Sequence, residues 1–260
     1  MLLFKLLVTP AVVALATLAG RRFGRIASGW LIGLPLTSGP LMVFLALEHG
    51  SRFAARAAVG SLGGAICEVG FCLGYAFTVR RRGWPAGILT GSIGFAAAAV
   101  VLETIPLGVS EAGVATLAAC AVAALLAGLA LLPHVPVLAQ PRLPSSRWDI
   151  PARAVLTTAI LLVLTALATT FGPRLSGVLA VYPLYTAVLA VFAQRHVGAG
   201  GALQVLRGLL LGLFSFVCFF ATLAVGLIQL GTAAGFALSI AAALAVQAAS
   251  LRPLLRLAAA

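Results

Sequence analysis

Only one acidic residue of this chain, Glu68, lies deep inside an apolar run, with Cys67, Val69, Gly70 and Phe71 around it. A charged carboxylate at the centre of a membrane-spanning helix costs at least ~2.5 kcal/mol on insertion scales. The acid is therefore expected to be neutral much of the time, and it can serve as a proton or cation coupling group or face a cationic substrate. The plainer reading is a neutral acid hydrogen-bonded to a neighbouring helix. A second candidate group is built on prolines. Pro35 and Pro40 interrupt the apolar run 26–47, and Thr37 and Ser38 follow Pro35; Pro183 interrupts the later run 175–194, with Tyr182 before it and Tyr185 and Thr186 after it. A proline within a helix removes a backbone hydrogen bond and strains the preceding turn, and in lipid the freed carbonyls need partners from neighbouring helices or a wet cavity. Interrupted spans in corresponding halves are a sequence pointer to a midplane binding site; the plainer reading is a pair of packing kinks. The candidate substrate-binding residues are thus Pro35, Thr37, Ser38, Pro40, Glu68, Tyr182, Pro183, Tyr185 and Thr186.

The elements that must position these residues are membrane helices. Of 260 residues, 62% are hydrophobic and 8% charged, against about 25% charged in ordinary soluble domains. Too little polar surface remains to coat a soluble globule, so the bilayer must be the main solvent. Nine apolar spans are expected, near 2–20, 26–47, 57–79, 85–103, 112–132, 151–171, 175–194, 204–228 and 232–250. The first is read as a spanning helix, with a signal anchor as the alternative, since Arg21 and Arg22 follow it and no convincing cleavage site is present. The longest connection, 134–150, carries Pro136, Pro141, Pro144, Arg142 and Arg147 and reads as a cytoplasmic linker between a first membrane unit, 1–133, and a second, 151–260.

The net charge of +12 does not argue for nucleic acid, because the arginines cluster at the ends of apolar runs. With the N-terminus outside, thirteen basic residues from Arg21 to Arg256 fall on the inner side, and only Lys5, Arg52, Arg56 and Arg174 on the outer. The positive-inside rule then sets a multi-pass inner-membrane topology with a cytoplasmic C-terminus. Arg80, Arg81 and Arg82, with Trp84 beside them, read as an inner anchor able to touch anionic lipid. Cys67, Cys72, Cys120 and Cys218 all sit in apolar runs without a CxxC pair and read as buried small residues. His49, His134 and His196 are scattered, so neither a metal nor a cofactor is expected. The glycine pairs Gly60 and Gly64, Gly70 and Gly74, Gly87 and Gly91, and Gly208 and Gly212 are each four apart, a spacing that forms a groove for a neighbouring helix.

The chain also matches itself. Shifted by 148, residues 23–64 coincide with 171–212 at 15 of 42 positions, among them Ser28 with Ser176, Gly29 with Gly177, Pro35 with Pro183, Gly50 with Gly198 and Gly60 with Gly208. The coincidences fall on Gly and Pro, which have backbone roles, and not only on the abundant Leu and Ala. Five spans, an odd number, lie in each period, so the halves must cross the membrane in opposite senses. Phe216 then takes the place of Glu68 in the second half, and any carboxylate chemistry is asymmetric. The fold expected is an all-α polytopic membrane protein of about nine helices in two inverted-topology repeats, five plus four.

The stretches GLPLTSGPLMVF and AVYPLYTAVLAVF, each an apolar run with a central proline after a basic or polar turn, resemble the GlpM family of small bacterial membrane proteins. The inverted five-plus-five plan is similar to that of the drug/metabolite transporter superfamily, from which this chain departs in having nine spans and an outer N-terminus. The resemblance implies movement of a small organic or lipid-like solute across the inner membrane. Together these readings favour a secondary transporter or export permease for a small solute, with membrane lipids as further partners. No Ser-His-Asp arrangement or paired carboxylate site is visible in the sequence, which counts against an enzyme. Two other classes stand beside it: a membrane-embedded enzyme for lipid or isoprenoid substrates, using Glu48, Glu103 and Glu111, and a non-transporting assembly subunit. Oligomeric state is not legible in the sequence.

Overall fold

The structure is a computed structural model and describes residues 2–36, 38–105, 110–133, 151, 153–159 and 182–259. These residues form helices without any strand: α1 (Leu2–Phe23), α2 (Arg25–Ile32), α3 (Ser38–His49), α4 (Ser51–Val79), α5 (Trp84–Glu103), α6 (Glu111–Leu131), α7 (Leu184–Val197), α8 (Ala199–Gln229) and α9 (Thr232–Ala259), with a further helical segment at 153–159. Five of them, α4, α5, α6, α8 and the Thr232–Leu251 part of α9, are long and apolar enough to cross a membrane. This is a helical membrane protein. The linker 134–150, most of the sixth expected span and the first part of the seventh lie outside the described residues, as does Thr37.

The second expected span differs from the sequence reading. The run 26–47 is two helices, α2 of 8 residues and α3 of 12, and neither alone reaches the ~20 residues a crossing needs. The reason is local. Pro35 has no N–H to give, and it pushes the residue before it out of the helical region. Other boundaries are set by glycine. The chain enters α4 through Gly50 (φ +85°, ψ 163°) and α8 through Gly198 (φ +82°, ψ −170°), a region essentially restricted to glycine. Ser110 opens α6, its Oγ accepting from the Gly113 N–H at 3.2 Å, with Glu111 in the first turn where the helix dipole favours an acid. The C-terminal helix does not stop at residue 250 but continues to Ala259.

The helices α4 and α8 form the centre, buried over most of their length. Each has a flanking partner that follows it in sequence. On α4, Gly70 and Gly74 let α5 approach so closely that a Cβ on either would strike the backbone of Gly94 or Thr90, and the Thr90 hydroxyl donates across to the Gly74 carbonyl at 2.9 Å. On α8, Gly226 faces Gly235 of α9 in the same manner. The groove expected from Gly208 and Gly212 holds α2, whose Ile26 and Trp30 backbone lies directly on these glycines, while Gly29 seats against Val205. The groove expected at Gly60 is absent: Gly60 is exposed, with nothing within 4 Å of a Cβ placed there. Cys67 and Cys72 are buried as expected, whereas Cys120 is exposed on α6.

Hydrogen bonds between helix ends give the directions. The Ser51 and Thr232 hydroxyls lie 3.0 Å apart, joining the start of α4 to the chain just beyond the end of α8. Gln229 at the end of α8 donates to Glu111 at the start of α6. At the opposite end, the Arg207 guanidinium donates to the Leu132 carbonyl at 3.0 Å, capping α6 near the start of α8. So α4 and α6 run one way, and α8 runs the other.

Candidate functional site

The breaks at Pro35 and Pro183 have the same backbone construction. The Leu36 N–H donates to the Leu34 carbonyl at 2.7 Å, and the Leu184 N–H to the Tyr182 carbonyl at 2.7 Å. Both are three-residue turns centred on the proline, and Pro183, at φ −75° and ψ 58°, lies at the inverse γ-turn minimum. The next helix starts identically in each: the Gly39 N–H donates to the Pro35 carbonyl, and the Ala187 N–H to the Pro183 carbonyl, both at 2.9 Å. Every one of these donors and acceptors is displaced from its counterpart by 148 positions. Each helix then ends at a glycine, Gly50 bonding back to Ala46 and Gly198 to Gln194.

The two breaks pack against opposite halves of the chain. The first is held to the α8–α9 pair. Gly33 lies on Gly212, Gly39 faces the Phe219 ring, the Trp30 indole N–H donates to Ser250 Oγ at 2.7 Å, and the Gln247 amide donates to the Trp30 carbonyl at 3.1 Å. The second is held to the α4–α5 pair. The Tyr182 ring meets Phe71 and Phe95 edge-on at 6.0 and 5.6 Å, and its hydroxyl lies 2.8 Å from Ser92 Oγ. Further along α7, Gln194 Oε1 accepts from the buried Tyr75 hydroxyl at 2.7 Å.

Of the sequence-derived site residues, Pro183 and Thr186 are buried, and Pro35, Ser38, Pro40, Tyr182 and Tyr185 are half-buried. Glu68 is half-buried in the middle of α4. Its link to the second break runs through Phe71, one turn away, whose ring touches Tyr182. Among the described residues Glu68 makes no side-chain hydrogen bond or ion pair, so the neighbour-bonded acid weighed above does not occur there. No three His, Cys, Asp or Glu side chains gather in a way that could hold a metal ion, again among the described residues.

Sequence reasoning missed Phe71, Tyr75, Ser92, Phe95 and Gln194, which hold the second break, and Trp30 and Ser250, which hold the first; Gln247 and Gln229, near the ends of their spans, are expected from the sequence to bond across helices, and both do so. Tyr75 carried a signal: it is one of only three tyrosines in the chain, and the other two flank Pro183. Ser92 and Gln194 carried none, because their partners lie 90 and 119 positions away. No protein family, curated protein or solved structure matches this chain.

Proposed function

We propose that this protein is a secondary transporter or export permease for a small solute, built as an inverted repeat and binding its solute near the membrane midplane between the two broken spans. The observation that carries this reading is the pair of proline turns, alike bond for bond, each seated on the other half's helix pair. Broken helices freed from the regular hydrogen-bond ladder expose backbone groups at mid-depth, where a solute can use them. The opposed directions of α4 and α8 support the inversion. The arginine distribution supports an outer N-terminus and a cytoplasmic C-terminus.

A lipid-directed enzyme would need converging acids at the outer face. Glu111 is instead engaged by Gln229, and nothing in the site favours that reading. The test is a thermal-shift screen of small amines, acids, sugars and isoprenoid alcohols on the purified protein, followed by flux of each stabilising solute into proteoliposomes. At least one solute is expected to move, and Pro35→Ala and Pro183→Ala are expected to slow it by about tenfold or more, as misplaced binding groups commonly do. Flux equal to wild type in both variants, or no flux of any stabilising solute, overturns the assignment.

A further inference from the structure

Positive charge collects at one end of the molecule. The ends of α4, α6 and α7 and the start of α8 meet there: Arg207 near the start of α8 caps Leu132 at the end of α6, α4 runs with α6, and α7 leads into α8 through Gly198. Arg80, Arg81 and Arg82 lie in the α4–α5 turn and Arg195 in the last turn of α7, and all four are exposed. The acids lie elsewhere. Glu48 precedes the start of α4, Glu103 ends α5 and Glu111 opens α6, all at the opposite end, and Glu68 is in the middle of α4. Asp149, outside the described residues, is the only other acidic residue of the sequence. At most one carboxylate side chain can therefore stand against these four guanidinium groups.

A buried hydrogen bond brings the two groups of arginines to one corner. Tyr75, one turn before the end of α4, is fully buried. A Cβ on Gly87 of α5 would meet its ring at 3.2 Å, and its hydroxyl donates to Oε1 of Gln194, the neighbour of Arg195, at 2.7 Å. The end of α7 is thus held beside the start of α5 and the α4–α5 turn. That turn is itself fixed, since the Arg81 and Arg82 N–H groups donate to the Thr78 carbonyl at 3.1 and 2.9 Å. Phe77 and Trp84 stand on either side of it, 58% and 42% exposed, as aromatic residues do at the level of lipid headgroups. Complementing the dipoles of α4 and α7 calls for a cation at each helix end. Four gathered at one corner make a positive field that attracts an anion.

In a membrane protein the anion that meets such a corner is lipid phosphate. Guanidinium groups bind phosphate oxygens two at a time, and basic clusters at the end of a span attract anionic leaflets. We propose that Arg80, Arg81, Arg82 and Arg195 bind the phosphate headgroup of one anionic phospholipid, which fastens the end of α7 to the α4–α5 turn. The headgroup then reinforces from the surface what the Tyr75–Gln194 bond does inside. A zwitterionic lipid carries an ammonium group that the same arginines repel, so the site selects by the net charge of the lipid. The site needs no transported solute and goes beyond the transport reading.

The experiment titrates the full chain in mild detergent with phosphatidylglycerol or with phosphatidylcholine of the same acyl chains, and counts bound lipid by native mass spectrometry. Wild type is expected to bind the first phosphatidylglycerol about tenfold more tightly than phosphatidylcholine. Arg195→Gln is expected to weaken the anionic lipid about fivefold, the effect of one arginine near a membrane surface. The triple variant Arg80→Gln, Arg81→Gln, Arg82→Gln is expected to abolish the preference, and adding Arg195→Gln to it to change nothing more, because one headgroup is shared. Arg52→Gln with Arg56→Gln, exposed at the opposite end, is expected to leave binding as it is. In nanodiscs, amide exchange over 184–197 is expected to slow when phosphatidylglycerol replaces phosphatidylcholine, in wild type and not in Arg195→Gln. Unchanged gel-filtration elution reports that each variant is folded. Equal affinity for the two lipids, independent losses from the turn and from Arg195, an equal loss from Arg52 and Arg56, or no slowing of exchange overturns the proposal. Displacement of the lipid by excess inorganic phosphate overturns the lipid assignment in favour of a site for free phosphate.

Discussion

The hydroxyls of Ser51 and Thr232 lie 3.0 Å apart, although one opens α4 and the other follows the end of α8. Under the 148-residue shift α4 is paired with α8, so the two helices that the shift pairs start at opposite ends of the molecule. A cysteine pair tests this directly. In a background lacking the four native cysteines, Ser51→Cys with Thr232→Cys is expected to form a disulfide under mild oxidation, because side chains this close meet the geometry a disulfide requires. Ser51→Cys with Gly198→Cys is expected to stay reduced. The readout is a gel shift after cleavage in the 134–150 linker. Cross-linking of the second pair in preference to the first would mean that α4 and α8 run in parallel.

The shift also pairs Gly60 with Gly208, and here the two positions are unlike. A Cβ at Gly208 strikes the Ile26 backbone, whereas one at Gly60 meets open space. Gly208→Ala is expected to destabilise by about 1–3 kcal/mol or more, since backbone cannot yield as a flexible side chain can. Gly60→Ala is expected to be neutral or to stabilise by up to ~1 kcal/mol, through the better helix propensity of alanine. Unfolding in mixed micelles of mild and denaturing detergent measures both. Equal losses at the two positions would contradict the placement of α2.

The second break is fastened by hydrogen bonds that the first lacks. The counterparts of Ser92 and Tyr182 are Ile240 and Leu34, and those of Tyr75 and Gln194 are Leu223 and Ala46. A double-mutant cycle with Ser92→Ala and Tyr182→Phe is expected to give a coupling of about 0.6 kcal/mol, the average for such bonds in a membrane protein. Additive single effects would show that the 2.8 Å approach contributes nothing.

Much of this architecture was legible because backbone constraints repeat in sequence. The Pro35 and Pro183 breaks and the Gly50 and Gly198 entries are imposed by residues with few allowed conformations, so matching letters meant matching turns. Packing was less legible. The spacing of Gly60 and Gly64 is the same as that of Gly208 and Gly212, but spacing does not say whether a partner helix arrives. The site was half legible: Glu68 stood out as an acid in an apolar run, and Tyr182 as a neighbour of Pro183. Their surroundings were hidden, because Phe71, Ser92 and Phe95 are ordinary residues of apolar spans until folding sets Tyr182 against them. Nor could the sequence show that Ser61, Cys72 and Tyr75 are buried, since that depends on which face of α4 the rest of the protein covers.

The entries to α4 and α8 separate backbone symmetry from packing symmetry. Gly50 and Gly198 share φ near +85° and +82° with ψ near 180°, a region that costs other residues of order 1–3 kcal/mol. Neither has an atom within 4 Å of an added Cβ, so the whole effect of a side chain is conformational. Gly50→Ala and Gly198→Ala are therefore expected to destabilise by similar amounts, each about 1–3 kcal/mol, in contrast to the unequal pair Gly60 and Gly208. A further comparison sharpens the point. Gly83 and Gly231 also correspond under the shift, yet Gly231 has φ +78° while Gly83 has φ −60°. Gly231→Ala is expected to show the same loss and Gly83→Ala little or none, measured in the same detergent-unfolding series. Equal tolerance at Gly50 and Gly83 would show that the positive-φ entry to α4 does not persist in the bilayer-like state, and the turn geometry that pairs the two halves would lose its support.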